Sequence, residues 1–220
     1  MSDKVNIQYY NVEYALAEAY KSLRTNLLYT ENAHVIAITS SLKGEGKSST
    51  AFQLCKSFAD LGKKTLLIDC DLRKAYLRRY LKIKENLKGV SEVLSGQTKE
   101  AVYETDLENF WVMVSGKSPA NPSELLSGVA FSKLISELRK DFDYIIIDTP
   151  PVTVGPDACI VGRVVDGVVL VIRSDYVKKI TVQRSKQEII RNGGKLIGVA
   201  LNRISKYQGE YYYGYYGEYE

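Results

Sequence analysis

Short, nearly continuous hydrophobic runs recur along the chain and are separated by stretches with helical periodicity. The runs cover residues 34–39, 65–68, 144–147, 167–172 and 196–201. Unbroken hydrophobic runs are typical of strands that are covered on both faces. The intervening helical stretches are predicted at about 47–61, 129–141 and 178–191. This alternation predicts an α/β fold with a mostly parallel sheet and helices on both faces.

The two ends of the chain differ from this central pattern. Residues 12–28 predict an amphipathic helix, because apolar side chains recur there at helical spacing. The side chains on that face are Val12, Leu16, Ala19, Tyr20, Leu23 and Leu27. The region 72–127 is less regular, and we expect local helices and one short strand around 110–114. No linker precedes residue 205, so the expected organisation is one domain over 1–205 and a tail over 206–220.

The tail is rich in tyrosine. The last fourteen residues hold seven of the seventeen tyrosines and no aliphatic side chain. Such a segment cannot bury enough apolar surface to offset the entropy of ordering it, so we predict disorder. A repeated phenol on a mobile segment is typical of a modification substrate; the alternative is a low-complexity, surface-binding end. The tyrosines are Tyr207, Tyr211, Tyr212, Tyr213, Tyr215, Tyr216 and Tyr219.

Composition excludes several function classes. The net charge of +4 over 220 residues is too mild to indicate nucleic acid as a partner. Three scattered cysteines indicate neither a disulfide framework nor a metal site, and the single histidine argues against histidine-based catalysis. No apolar run reaches the length of a membrane span, and no signal peptide is recognisable. We therefore expect a soluble cytosolic protein.

A phosphate-binding loop follows the first hydrophobic run. Residues 41–48 read Ser-Leu-Lys-Gly-Glu-Gly-Lys-Ser, and this matches the core of a Walker A loop. Glycines let backbone N–H groups close around phosphate oxygens at a helix N-terminus. The lysine would neutralise phosphate charge and the following serine would bind Mg²⁺. The predicted nucleotide-binding residues are Lys43, Gly44, Glu45, Gly46, Lys47, Ser48 and Ser49.

Aspartates end two other hydrophobic runs. Asp69 and Asp71 follow the second run and Asp148 follows the third. The carboxyl ends of parallel strands meet at one edge of the sheet, so these aspartates should converge beside the loop. One could hold Mg²⁺ while another accepts the proton of an incoming hydroxyl. Asp71 could instead cap a helix.

With these motifs, and with segments 87–96, 119–126 and 143–151, the chain resembles the bacterial tyrosine kinases of capsule and exopolysaccharide synthesis, the CpsD/CapB type. The resemblance covers residues 13–220. It implies the fold of P-loop ATPases related to ParA and MinD. It also implies an ATP- and Mg²⁺-dependent protein-tyrosine kinase that autophosphorylates the tail tyrosines and regulates the synthesis and export of these polysaccharides.

The same resemblance implies roles for individual residues. Lys47, Asp69 and Asp71 would be catalytic, and Ser48, Asp69 and Asp148 would bind the metal. Asn202 would contact the adenine of ATP or ADP. Which aspartate is the base stays open.

The resemblance also implies partners. Glu18, Lys21 and Arg24 stand in a motif used for ring-like self-association; the alternative is an intrahelical ion-pair ladder. A separate transmembrane activator of the polysaccharide co-polymerase type would recruit the protein to the inner face of the plasma membrane. A cognate tyrosine phosphatase is a further expected partner.

Two other functions share part of this pattern. A ParA/MinD-like ATPase switch without kinase activity would share the loop and the strands. However, Leu42 stands where those ATPases carry a lysine, and such a switch would not explain the tail. An adaptor that binds nucleotide without turnover is the third class. The basic stretch 73–88 is either a solvated face or a docking strip for acidic tail residues or phosphotyrosine.

Overall fold

A seven-stranded sheet runs through the computed structural model, which describes residues 4–9 and 11–204. The strands are β1 (Val35–Ser40), β2 (Thr65–Asp69), β3 (Tyr103–Glu104), β4 (Phe110–Met113), β5 (Tyr144–Asp148), β6 (Gly167–Arg173) and β7 (Leu196–Asn202). Their order across the sheet is β3-β4-β2-β5-β1-β6-β7. Only β3 runs antiparallel to its neighbour. The predicted mostly parallel sheet is confirmed.

Helices cover both faces of the sheet. They are α1 (Tyr14–Leu28), α2 (Lys47–Ala59), α3 (Tyr76–Tyr80), α4 (Val90–Leu94), α5 (Pro122–Ser127), α6 (Val129–Leu138), α7 (Asp157–Gly162) and α8 (Lys179–Arg191). One hydrophobic core lies under α1, α2 and α3, and the other under α4 to α8. Alternate residues of β1 serve the two cores, with Ile36 and Ile38 in the first and Val35 and Ala37 in the second.

The central strands have the burial that their unbroken hydrophobic runs predict. Every residue of β1, β2 and β5 is buried. These strands lie in the middle of the sheet, where helices cover both faces. The predicted short strand at 110–114 is β4, which lies beside β2.

Two expectations about buried faces are wrong. The run 196–201 forms β7, but Val199 is 52% and Leu201 47% exposed, because β7 is an edge strand with a single neighbour. In α1, Leu27 is buried, but Leu16 and Ala19 of the predicted apolar face are exposed. The helix packs against α2 through its C-terminal half, where Arg24 and Leu27 lie.

The topology places the predicted site residues at one edge of the sheet. β5 lies between β1 and β2 and is parallel to both, and Asp69 is in register with Asp148. The phosphate loop leaves the same end of β1. Among the described residues, no helix is long and apolar enough to cross a membrane. The predicted tail tyrosines lie outside the described residues, so the division between domain and tail stays a prediction.

Candidate active site

The phosphate loop connects β1 to α2 and requires glycine at two positions. Gly44 has φ +81° and Gly46 has φ +94°, a left-handed conformation that side chains disfavour. A Cβ on Gly46 would also lie 2.0 Å from Nδ2 of Asn202. Helix α2 begins at the next residue, Lys47, so its N-terminal N–H groups add a favourable dipole for anions. The loop therefore has the geometry of a phosphate cradle.

Polar contacts hold this loop against β6, β7 and the segment between them. The Glu45 carboxylate accepts hydrogen bonds from the Leu42 backbone N–H at 2.5 Å and the Arg173 backbone N–H at 3.2 Å. The side chain of Asn202 donates to the Glu45 carbonyl at 2.8 Å. The Tyr176 hydroxyl donates to the Lys43 carbonyl at 3.0 Å. Glu45 and Asn202 thus stabilise the conformation of the loop. Their direct contact with nucleotide stays a prediction.

Lys47 lies among the predicted carboxylates. Its Nζ is 3.4 Å from Oδ1 of Asp148 and 3.9 Å from Oδ2 of Asp71, and 3.1 Å from the Ser48 hydroxyl. Burial alone would lower the pKa of Lys47, but the charges of Asp148, Asp71 and Asp69 raise it overall. The ammonium group is therefore charged and available to a phosphate. The three separate sequence segments do converge at this point.

Asp69 and Asp148 are fully buried carboxylates. Burial and the nearby charge of Asp148 raise the pKa of Asp69 well above its ordinary value. Burial likewise raises the pKa of Asp148, although Lys47 partly counteracts this. One oxygen on each, Oδ2, has no hydrogen-bond partner. Two unpaired buried oxygens are costly unless a further cation joins them.

A magnesium ion fits this donor set. Asp69 and Asp148 are in register at the sheet edge, each with a free Oδ2, and the Ser48 hydroxyl contacts Asp148. Carboxylate and hydroxyl groups are the hard oxygen ligands that Mg²⁺ prefers. In the described ranges, no group of three or more His, Cys, Asp or Glu side chains could hold a metal alone. In nucleotide enzymes, phosphates and waters usually complete the Mg²⁺ shell.

Asp71 has two kinds of contact. Its Oδ1 accepts the Lys74 backbone N–H at 3.1 Å, and its own N–H donates to Oδ1 of Asp69 at 3.0 Å. Its Oδ2 faces Lys47 instead. The turn that it forms therefore leaves one carboxylate oxygen directed into the site, where it could accept a proton.

Arg73 and Asp157 form an ion pair that sequence reasoning missed. Nε of Arg73 lies 2.6 Å from Oδ2 of the fully buried Asp157, and Ser123 hydrogen-bonds to both residues. The pair joins the chain after β2 to α5 and α7. Arg73 lies two residues after Asp71, but no sequence spacing predicts its contact with a residue 84 positions away.

Comparison with known proteins identifies relatives along most of the chain. A family model described as an AAA domain matches residues 33–183. The tyrosine-protein kinase CpsD of Streptococcus agalactiae is 38% identical over 205 residues, covering 92% of this chain and 89% of that protein. The putative tyrosine-protein kinase CapB of Staphylococcus aureus is 34% identical over 208 residues, covering 92% and 91%. The chain belongs to the CpsD/CapB family of tyrosine-protein kinases.

Solved structures agree with this assignment. The crystal structure of the chimerical protein CapA2B2 matches with a TM-score of 0.84 at 32% identity, over 92% of this chain and 94% of that one. The cell-division ATPase MinD of Pyrococcus furiosus matches with a TM-score of 0.68 at 24% identity, over 79% and 73%. The second likeness concerns the fold alone. The predicted family, the fold class and the protein-tyrosine kinase class are confirmed.

The residues predicted for self-association within this kinase family have different contacts. Lys21 pairs with Glu18 at 2.7 Å, both partly exposed, as the ion-pair alternative expects. Nη1 of Arg24 instead donates to the Ser57 carbonyl of α2 at 2.8 Å. Arg24 therefore helps to attach α1 to the domain, and a role for the three residues between subunits stays a prediction.

The basic stretch 73–88 is partly committed to local structure. Arg73 pairs with Asp157, and Nη2 of Arg78 donates to the Glu85 carbonyl at 2.7 Å. Lys74, Arg79 and Lys84 are exposed. The stretch is thus a mixture of structural and solvated cations, and a docking strip for the tail stays a prediction.

Proposed function

We propose that this tyrosine kinase depends on ATP and Mg²⁺ and phosphorylates the tyrosines of its own C-terminal tail. The observation that carries the proposal is the position of Lys47, within 4 Å of Asp71 and Asp148 at the mouth of a phosphate loop. A loop of this kind supports nucleotide binding by the backbone N–H groups of 43–49. The seven tail tyrosines supply acceptors in the same chain.

In the proposed reaction, a tail tyrosine oxygen attacks the γ-phosphorus, the bond to the β-phosphate oxygen breaks, and ADP leaves. A free tyrosine has a pKa of about 10, so it needs a nearby base to become a competent nucleophile. A carboxylate of Asp69 or Asp71 takes the proton. Lys47 offsets the negative charge on the phosphates. Bound Mg²⁺, held by Ser48, Asp69 and Asp148, supplies further charge neutralisation.

The distances allow the tail to reach the site. The described chain ends at Ile204, just after β7, and β7 lies two strands from β1. Two strand spacings amount to about 10 Å, whereas sixteen extended residues span roughly 50 Å. The tail could therefore reach its own site or that of a neighbouring subunit.

A mixed-chain experiment separates these two routes. Full-length Lys47→Met is the acceptor, and an active chain with its seven tail tyrosines changed to phenylalanine is the donor. Phosphate on the Lys47→Met tail indicates transfer between subunits. Its absence, with normal autophosphorylation of the wild type, indicates transfer within a chain.

We also propose that the kinase regulates capsular or exopolysaccharide synthesis from the inner face of the plasma membrane. Membership of the CpsD/CapB family supports a ring-like homo-oligomer, a transmembrane activator and a cognate phosphatase as partners. The activator's cytosolic peptide should raise the rate of tail phosphorylation. Equal rates with and without that peptide would count against this part.

Labelled ATP tests the proposal against an ATPase switch. We expect phosphate to be transferred to the wild-type chain. A variant whose seven tail tyrosines are changed to phenylalanine should still bind nucleotide but should receive no phosphate. ATP hydrolysis by a wild-type chain that never gains phosphate would instead favour the ATPase alternative.

A further inference from the structure

A cavity opens one strand away from the catalytic aspartates. Its volume is about 500 Å³. It lies beside the carboxyl end of β4, which neighbours β2, so it shares the sheet edge of the candidate active site. Its lining carries one lysine, Lys117, and two glutamates, Glu92 and Glu124, together with several hydroxyl and amide side chains, while most of the accessible lining surface is apolar. None of the catalytic residues lines it.

The floor of this cavity is built around the buried carboxylate of Glu92. Glu92 is 5% exposed, and its carboxylate accepts the backbone N–H groups of Gly89 at 2.8 Å and Lys117 at 3.0 Å. The Ser91 hydroxyl donates to the same carboxylate at 3.1 Å. Burial alone would raise the pKa of Glu92, but these hydrogen bonds lower it overall. A Cβ on Gly116 would lie 2.0 Å from Oε2 of Glu92, so the turn is closely packed around the carboxylate.

The cavity wall is hydrogen-bonded to the segment that follows Asp69 and Asp71. The Ser118 hydroxyl donates to the Leu72 carbonyl at 2.9 Å, and Leu72 follows Asp71. Helix α5, which also borders the cavity, carries Ser123, and Ser123 hydrogen-bonds to Arg73 at 2.8 Å. A peptide whose tyrosine lies against Asp71 would therefore have neighbouring residues over this wall.

The lining can receive a peptide that carries both tyrosine rings and a carboxylate, because apolar surface lies beside hydrogen-bonding groups and one lysine. Hydroxyl and amide groups can pair with exposed backbone and with tyrosine hydroxyls. Of the two lining glutamates, Glu92 accepts backbone N–H groups and Glu124 accepts a hydrogen bond from Nδ2 of Asn121 at 2.9 Å. Lys117 is exposed, and its ammonium could pair with a carboxylate of the peptide. Residues 205–220 consist only of Tyr, Gly, Glu, Gln, Lys and Ser, and Glu210 and Glu218 directly precede tyrosines. Five strand spacings separate β7 from β4, about 24 Å, which sixteen extended residues exceed.

We infer that this cavity is the subsite for the tail residues that flank the acceptor tyrosine, with Lys117 pairing with a tail glutamate. The occupant is the segment 205–220 of this chain or of a second copy. The inference rests on the proposed tail phosphorylation. The cavity would then help to determine which tyrosines are phosphorylated, although none of its residues takes part in phosphate transfer.

Cross-linking tests this placement without requiring catalysis. The three native cysteines are buried, so introduced Gln97→Cys and Gln208→Cys provide a cavity–tail pair. The matched control is Glu108→Cys, exposed at the opposite end of β4, with the same tail cysteine. Under mild oxidation we expect faster disulfide formation with residue 97 than with residue 108. Equal or slower formation would overturn the inference.

A charge exchange tests the glutamate contact. Lys117→Glu should slow tail phosphorylation about three- to tenfold, as expected when an exposed ion pair becomes a repulsion. ATP affinity should not change. Changing Glu210 and Glu218 to lysine in the same chain should restore the rate, and Lys63→Glu, near the start of β2, should have no effect. No loss, or a loss that the exchange does not repair, would overturn the inference. A wild-type tail that gains no phosphate would refute the proposed function instead, while the cross-linking result would still stand.

Discussion

Replacing Asp69 by asparagine should stabilise the ligand-free protein while abolishing kinase activity. Asp69 is fully buried, and its Oδ2 has no hydrogen-bond partner. Its Oδ1 accepts the Asp71 N–H at 3.0 Å, a bond that an asparagine oxygen can also accept. The substitution therefore keeps the local turn and removes a buried negative charge that faces Asp148.

The effect should be about 2 kcal/mol at neutral pH, since an uncompensated buried polar or charged group typically costs 1–3 kcal/mol. For a chain of this length that corresponds to a rise in Tm of about 4–8 °C. The sign follows from the raised pKa of Asp69 in the folded state. Folding favours the protonated acid, so the wild type loses stability as pH rises from about 4 through that raised pKa. The advantage of Asp69→Asn should therefore increase with pH.

Thermal unfolding between pH 5 and 8.5 in EDTA measures this difference. Asp157→Asn is the matched control, because Asp157 is equally buried but paired with Arg73 at 2.6 Å. Removing that charge should lower Tm, since it leaves the Arg73 guanidinium without its partner. A lower Tm for Asp69→Asn at every pH, or a gain that shrinks as pH rises, would refute the reasoning.

Two further predictions concern the loop and helix α1. Gly46→Ala should weaken ATP binding by more than about tenfold, because its Cβ would clash with Asn202 and its φ is +94°. Gly62→Ala, with a similar φ but open space around it, should lose only stability; equal ATP affinity in both variants, measured by calorimetry, would contradict this account. Arg24→Ala should lower the free energy of unfolding by about 1 kcal/mol, because it removes the contact with Ser57, whereas Lys21→Ala should leave that free energy unchanged. Denaturant titration distinguishes them, and the same cost for both would refute the distinction.

Much of the architecture could be predicted from local patterns. The runs that form β1, β2 and β5 are unbroken because both faces are covered, and this property is visible without tertiary information. The glycines of the phosphate loop and the aspartates at strand ends are also local signals. Parallel topology then requires them to meet, which explains why Lys47, Asp71 and Asp148 were predicted together.

The remaining features depend on long-range packing. The edge position of β7 depends on strand order, so its hydrophobic run did not reveal that Val199 and Leu201 are half exposed. The Arg73–Asp157 pair joins segments 84 residues apart. Likewise, Glu45 was predicted only as part of the loop, whereas its carboxylate accepts the backbone N–H of Arg173 from β6.

Phosphosite mapping of the full-length chain after incubation with ATP and Mg²⁺ tests the central claim most directly. The account predicts phosphate on tail tyrosines of the wild type and none on Lys47→Met. A wild-type tail that remains unmodified, or equal modification of Lys47→Met, would contradict it.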